Sequence, residues 1–215
     1  MLKGIEFVKP EDIEKKSFEI ITGILGDRKF PPLHEPVIKR VIHTTADFEY
    51  ADMLKISANA IENGIEAIRS GCGIVTDTSM AAAGINKKAL SKFGGSVACF
   101  MDNAEIAEQA KAKSMTRASL CMDKASCDAN NRIYVVGNAP TALIRLYELI
   151  MEGKISPALV IGVPVGFVNV VEAKQLFKTC KIPYIISDGR KGGSNVAAAI
   201  VNAILYILLG KEGRN

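Results

Sequence analysis

Arg40, His43 and Asp47 lie three and four residues apart within the run Lys39–Phe48, the densest concentration of usable chemistry in the chain. On a helix such positions share one face. That face would present an anion anchor, a group that exchanges protons near neutral pH, and a carboxylate able to orient it. The same spacing also fits a capped helix end with a surface histidine. His34, the other histidine, sits beside Pro31 and Pro32 and reads as a surface residue. Neither histidine belongs to an HExxH pattern or has cysteine partners at ligand spacing, which argues against a catalytic metal.

A second candidate lies near the end of the chain. Gly192-Gly193-Ser194-Asn195 leads into a long apolar segment, Val196 to Leu209. If that segment is helical, its free N–H groups and the positive end of its dipole favour an anion, and Arg190 and Lys191 add full charges. The plainer alternative is a turn that needs glycine and carries solvated charges. Val196–Leu209 is too short to span a bilayer and reads as a buried core helix.

The elements that must position these groups follow from the hydrophobic pattern. The first third is helical in pattern: Pro10-Glu11-Asp12 opens a helix that Gly26-Asp27 ends, a second covers Glu35 to Thr45, and a third runs from about Ala51 to Ile68. Beyond Gly71 come five short apolar stretches, 73–76, 96–100, 133–136, 158–161 and 183–186, each followed by a loop and a helix-like segment. Continuous β-branched runs alternating with amphipathic helices imply parallel strands covered on both faces. The expected fold is α/β, a three-layer α/β/α domain with a mostly parallel five-stranded sheet plus N-terminal helices, in one domain over residues 1–215. Arg117 to Asn131 fits a helix with a polar, loop-like end.

In an open α/β sheet, ligands bind beyond the carboxyl ends of the strands. The residues there are Asp77-Thr78-Ser79-Met80, Gly137-Asn138-Ala139-Pro140-Thr141, Gly162–Gly166 and Ser187–Asn195. No GxGxxG follows a strand and no GxxxxGK[ST] occurs, so nucleotide binding has no support.

Composition narrows the classes. Of 215 residues, 48% are hydrophobic and 23% charged, with a net charge of +4, which fits an ordinary globular chain. The charge is dispersed and aromatics are 6%, so a nucleic-acid partner is not expected, whereas an acidic small molecule is compatible. Five cysteines without a CxxC pair fit reduced thiols in the cytoplasm. The charged start, residues 1–16, lacks a signal-peptide pattern, and no membrane association is expected. What remains is acid–base chemistry without a cofactor on a polyanionic organic molecule.

The residues resemble the precorrin-8X methylmutase family nearly end to end. The resemblance rests on Ile13–Phe18, on Arg40-Val41-Ile42-His43-Thr44-Thr45-Ala46-Asp47-Phe48, and on Gly137-Asn138-Ala139-Pro140-Thr141. It continues through Pro157–Val168 and Gly189–Ala199, and through Asp77–Ile85 with Ala81 where the family has valine. It implies a flavodoxin-like fold and a homodimer whose active sites lie at the subunit interface. It also implies a cofactor-free isomerase of vitamin B12 biosynthesis that moves a methyl group from C-11 to C-12 of precorrin-8X or cobalt-precorrin-8. The family's catalytic histidine falls on His43, with the implied role of general acid toward the macrocycle. Arg40, Arg117, Arg190 and Lys191 are then candidate clamps for the substrate's carboxylates. Ser17, Thr45, Asp77, Asn138, Thr141, Gly192, Gly193 and Ser194 are candidate neighbours of the substrate. Asp47 either orients His43 or caps the next helix. The rival readings are a corrinoid carrier without turnover and a nucleotide-binding regulator of similar shape.

Overall fold

The computed structural model describes residues 7–210. Residues 1–6 of the charged start lie outside it. A single 3-10 turn, Pro10–Asp12, leads into α1 (Ile13–Leu25), which Gly26 ends in a positive-φ conformation, and α2 spans His34–Thr45. Then follow α3 (Tyr50–Met53), β1 (Leu54–Ile56), α4 (Ala60–Arg69), β2 (Gly73–Thr76), α5 (Ser79–Gly84) and α6 (Lys87–Ser91). After β3 (Ser96–Cys99), α7 (Ala104–Lys113) and α8 (Arg117–Ala125) precede β4 (Asn131–Val136). The chain closes with α9 (Pro140–Met151), β5 (Leu159–Gly162), α10 (Val170–Phe177), β6 (Tyr184–Ser187) and α11 (Ser194–Leu208).

The sheet has six strands in the order β1-β6-β5-β4-β2-β3, one more than the sequence pattern suggests. Its five parallel strands are the five apolar runs, and their order is the 2-1-3-4-5 arrangement of flavodoxin-like sheets. Successive residues face opposite layers, so Ile133 and Val135 join the core under α11, α4 and α2, while Tyr134 and Val136 join the core under α8, α9 and α10. Burial on both faces is why these strands are continuous apolar runs.

The expected helix from about Ala51 to Ile68 is corrected. It breaks into α3, the edge strand β1 and α4, with β1 antiparallel to β6. Pairing satisfies the outer edge of β6: Asp188 donates to the Met53 carbonyl (2.8 Å) and Ser57 to the Tyr184 carbonyl (3.0 Å). Closing a sheet edge outweighs the helix preference of these few residues. Asn59, at φ 58°, then lets the chain turn into α4.

No helix among the described residues is long and apolar enough to cross a membrane. α11 is buried along nearly its whole length, as its composition suggests. Its polar Asn202 is satisfied by the Asn86 amide and the Gly84 carbonyl, which tie α11 to the end of α5.

Candidate active site

α1 and α2 meet so that residues one turn apart on each are opposed. Glu14 and Phe18 of α1 face Arg40 and His43 of α2. The His43 imidazole stacks on Phe18 with ring centroids 5.3 Å apart and planes 15° apart. The Arg40 guanidinium pairs with Glu14 and lies 4.7 Å over the Phe18 ring and 5.1 Å over the Tyr206 ring. Arg40 is only 6% exposed. Its charge is therefore spent on Glu14 and two aromatic faces, and it anchors the histidine platform more than it offers an open clamp.

His43 itself is exposed and sits in the last turn of α2, where unsatisfied carbonyls attract positive charge. It opens onto a cavity of about 510 Å³ between α1, α2, α5 and α11. Glu14, Arg40, Thr44, Asn195, Asn202 and Tyr206 are among its lining residues. Arg40 and His43 thus share a site as their spacing suggests. Glu14, Phe18 and Tyr206 complete it; Glu14 and Phe18 lie in the Ile13–Phe18 run of the resemblance and are i, i+4 neighbours on an amphipathic helix, whereas Tyr206 has no local signal.

Asp47 engages two partners. One carboxylate oxygen accepts from the Glu49 amide (3.0 Å), starting the turn into α3, and the other lies 2.6 Å from Lys191 Nζ. Lys191 also contacts Glu49 at 3.0 Å. The Lys191 ammonium holds the Asp47 carboxyl below its usual range, and the two carboxylates raise Lys191. Lys191 is therefore a strut between the end of α2 and the β6–α11 loop, already neutralised by protein carboxylates. Arg190 beside it is exposed and makes no ion pair among the described residues.

Other candidates hold the frame. Ser17 donates to the Ile13 carbonyl (2.9 Å) within α1. Thr45 donates to the Val41 carbonyl (2.9 Å) and accepts from the Asp47 amide (3.2 Å), closing α2. Asp77 is 1% exposed and sits at the point where the parallel strand order reverses, between β2 and β4. Its carboxylate accepts from the amides of Gly137 (2.8 Å), Asn138 (2.8 Å) and Ala139 (2.7 Å). Burial pushes its carboxyl up while those three amides pull it down. Asp77 shapes the loop at the switch point and is covered by it. Asn138 is exposed at the tip of that loop.

Ser194, at the start of α11, has its Oγ 2.7 Å from Thr78 Oγ1, which also caps α5 through the Ala81 amide. The Gly193 amide donates to the Val163 carbonyl (2.9 Å). A Cβ on Gly192 would stand 2.1 Å from that same carbonyl oxygen, so only glycine lets the two loops approach this closely. On the opposite layer, Thr116 caps α8 and its Oγ1 lies 2.8 Å from Thr141 Oγ1, which sets the exposed Arg117 beside the β4–α9 loop. Arg117, Asn138, Thr141 and Arg190 do not line the His43 cavity. A single chain brings His43 and Arg40 together, and places Arg117 and Thr141 together elsewhere along the strand ends. His34 is half-buried in the first turn of α2, away from this arrangement.

The sequence reading missed Lys174. Val170, Ala173, Lys174 and Phe177 form the buried stripe of α10, and a lysine in an apolar stripe is the available signal. Its Nζ donates to Ser187 Oγ (3.1 Å) and to the carbonyls of Gly189 (2.8 Å) and Lys191 (2.9 Å).

Comparison with known proteins fits this arrangement. The family model for precorrin-8X methylmutase matches residues 12–207. The chain belongs to the precorrin-8X methylmutase family. It is 46% identical over 206 residues to the cobalt-precorrin-8 methylmutase of Salmonella typhimurium, covering 93% of this chain and 96% of that one. The protein of that name from Priestia megaterium is 45% identical over 197 residues, covering 92% and 88%. The solved precorrin-8X methylmutase of Thermus thermophilus superposes with a TM-score of 0.86 at 40% identity, covering 93% of this chain and 97% of that one. The chain is thus a methylmutase, an isomerase of vitamin B12 biosynthesis, and the carrier and nucleotide-regulator readings give way to it.

Proposed function

We propose that this methylmutase moves the C-11 methyl group of cobalt-precorrin-8 to C-12, with His43 as general acid and residues 12–207 as one catalytic unit. The observation that carries the role of His43 is its ring, fixed on Phe18 at the mouth of the cavity. The rearrangement is internal: the bond from methyl to C-11 breaks as the bond to C-12 forms, and no atom enters or leaves. A proton or hydrogen bond from His43 to a ring nitrogen would make the migration origin more electron-poor. General acid catalysis of this kind contributes about 10²–10⁴-fold, or about 3–5 kcal/mol of barrier. Holding the macrocycle by its acid arms supplies orientation. The cobalt-bearing substrate is favoured by the names of the two relatives above. The test is to follow the absorption spectrum as purified protein meets each candidate, precorrin-8X and cobalt-precorrin-8. Faster conversion of the cobalt-free compound would overturn that assignment, and conversion of neither would overturn the function. Five unpaired cysteines favour a reducing, cytoplasmic setting.

The exposed cation Arg190 is the clamp of the β6–α11 loop in this reading, and Lys191 its strut. Arg190→Ala is expected to raise the dissociation constant of the product, cobyrinate, by about 3–10-fold and to flatten its salt dependence, because screening acts on exposed charges. A titration at two salt concentrations checks this. An unchanged affinity would make the loop a structural turn.

A second copy of the chain completes the site. The open cavity is small for a tetrapyrrole with its acid arms, and Arg117 stands apart from it. Met80, in the first turn of α5, and Phe167 and Val168, in the loop after β5, are 70%, 85% and 77% exposed, an apolar surface suited to a partner. Arg117 of one subunit then reaches a substrate carboxylate held by the other. Mixed dimers of His43→Ala and Arg117→Ala chains should regain activity, because one site in each carries both native residues. Verified heterodimers without recovery would sink the shared site.

A further inference from the structure

The loop between β6 and α11 is held from inside the protein. Lys174 is 0% exposed, and its ammonium supplies one donor to each of three acceptors: Ser187 Oγ and the carbonyls of Gly189 and Lys191. Ser187 Oγ donates its own hydrogen bond to the same Lys191 carbonyl at 2.8 Å. The carbonyl between them, that of Arg190, accepts from the Gly166 amide at 3.2 Å. Three successive carbonyls, 189 to 191, are therefore occupied by donors of the protein.

That arrangement has an electrostatic consequence. A carboxylate approaching Arg190 is repelled by any carbonyl oxygen turned toward it, and a glycine-rich loop has the freedom to turn several. The buried ammonium keeps the Gly189 and Lys191 oxygens inward and leaves the Arg190 charge to dominate outside. A lysine is otherwise costly to bury, and desolvation pushes this one down to about 8. The other charges nearby are engaged elsewhere: Asp188 with Lys178 at 2.8 Å, and the Lys191 ammonium with Asp47 and Glu49. A hydrophobic residue would fill the stripe of α10 at lower cost, so the three oxygen partners are what the lysine serves.

We propose that Lys174 is a positioning residue that holds the Asp188–Gly193 loop in the form that receives a substrate carboxylate. The proposal rests on the reading of that loop as part of the corrinoid site. Lys174 touches no substrate and acts through Arg190 and the loop backbone. Deprotonation leaves two donors for three acceptors, so the hold loosens as pH rises through about 8.

Lys174→Met, near in length and apolar, is the test. Amide hydrogen exchange of the unliganded protein should accelerate in the segment covering 188–193 and stay unchanged in α2. The dissociation constant of cobyrinate should rise by about tenfold, while kcat at saturating substrate stays within about threefold of the parent. Affinity of the parent should weaken above about pH 8, and that inflection should be absent from the variant. Unchanged loop exchange, a uniform rise in exchange throughout the chain, or unchanged affinity in the folded variant would each overturn the proposal. If Lys174→Met does not fold, Ser187→Ala decides: it removes one partner and should raise the dissociation constant by about threefold, and no change overturns the idea. Should the parent protein neither bind cobyrinate nor turn over a precorrin, the functional reading fails, while the exchange measurement still decides whether Lys174 holds the loop.

Discussion

His43→Ala is expected to keep its fold and its affinity for cobyrinate while turnover falls by about 10²-fold or more. The side chain is exposed and its ring contact is with Phe18, so truncation opens no hole in the core. What disappears is the proposed proton donor, the imidazole that lines the cavity. Single-turnover measurement isolates the chemical step from product release. His43→Asn refines the result, because an amide donates a hydrogen bond but cannot transfer a proton near neutrality. A rate near that of the parent in the asparagine variant would assign His43 hydrogen bonding alone, and a near-normal rate in the alanine variant would remove it from the mechanism. His34→Ala should be silent in the same assay.

The sequence carries the sheet well because each parallel strand is buried on both faces and so must be a continuous apolar run. It carries β1 poorly because Leu54-Lys55-Ile56 is three residues long and is defined by the edge of β6, which is more than a hundred residues away. The site divides along the same line. Arg40 and His43 are legible as a pair because helical geometry alone brings them to one face. Their partners Glu14, Phe18 and Tyr206 are fixed by the packing of three helices, which local spacing does not encode. Lys191 looks like a free cation in the sequence, yet the turn after α2 brings Asp47 and Glu49 onto it. Lys174 looks like one more helix lysine unless its place in the apolar stripe is noticed. Charge type is a local property, whereas whether a charge is available to a ligand depends on the whole fold.

Asp77 is where the fold and the site are most tightly joined, and Asp77→Asn is expected to lower stability by about 3 kcal/mol. One carboxylate oxygen serves Gly137 and the other serves Asn138 and Ala139. An asparagine can turn its single oxygen to the latter two amides, which leaves its NH₂ against the Gly137 N–H. One buried donor then faces another donor, and the two surviving bonds lose their charge assistance. Urea unfolding should show a lower midpoint with an unchanged slope, and product binding should weaken as the 137–141 loop shifts. Burial pushes the Asp77 carboxyl up, so its ionised form carries a desolvation cost that asparagine does not. That relief works in favour of the variant. A large loss of stability in spite of it would assign the effect to the three amide bonds across the switch point, and a variant within about 0.5 kcal/mol of the parent would show that the loop holds its form without them.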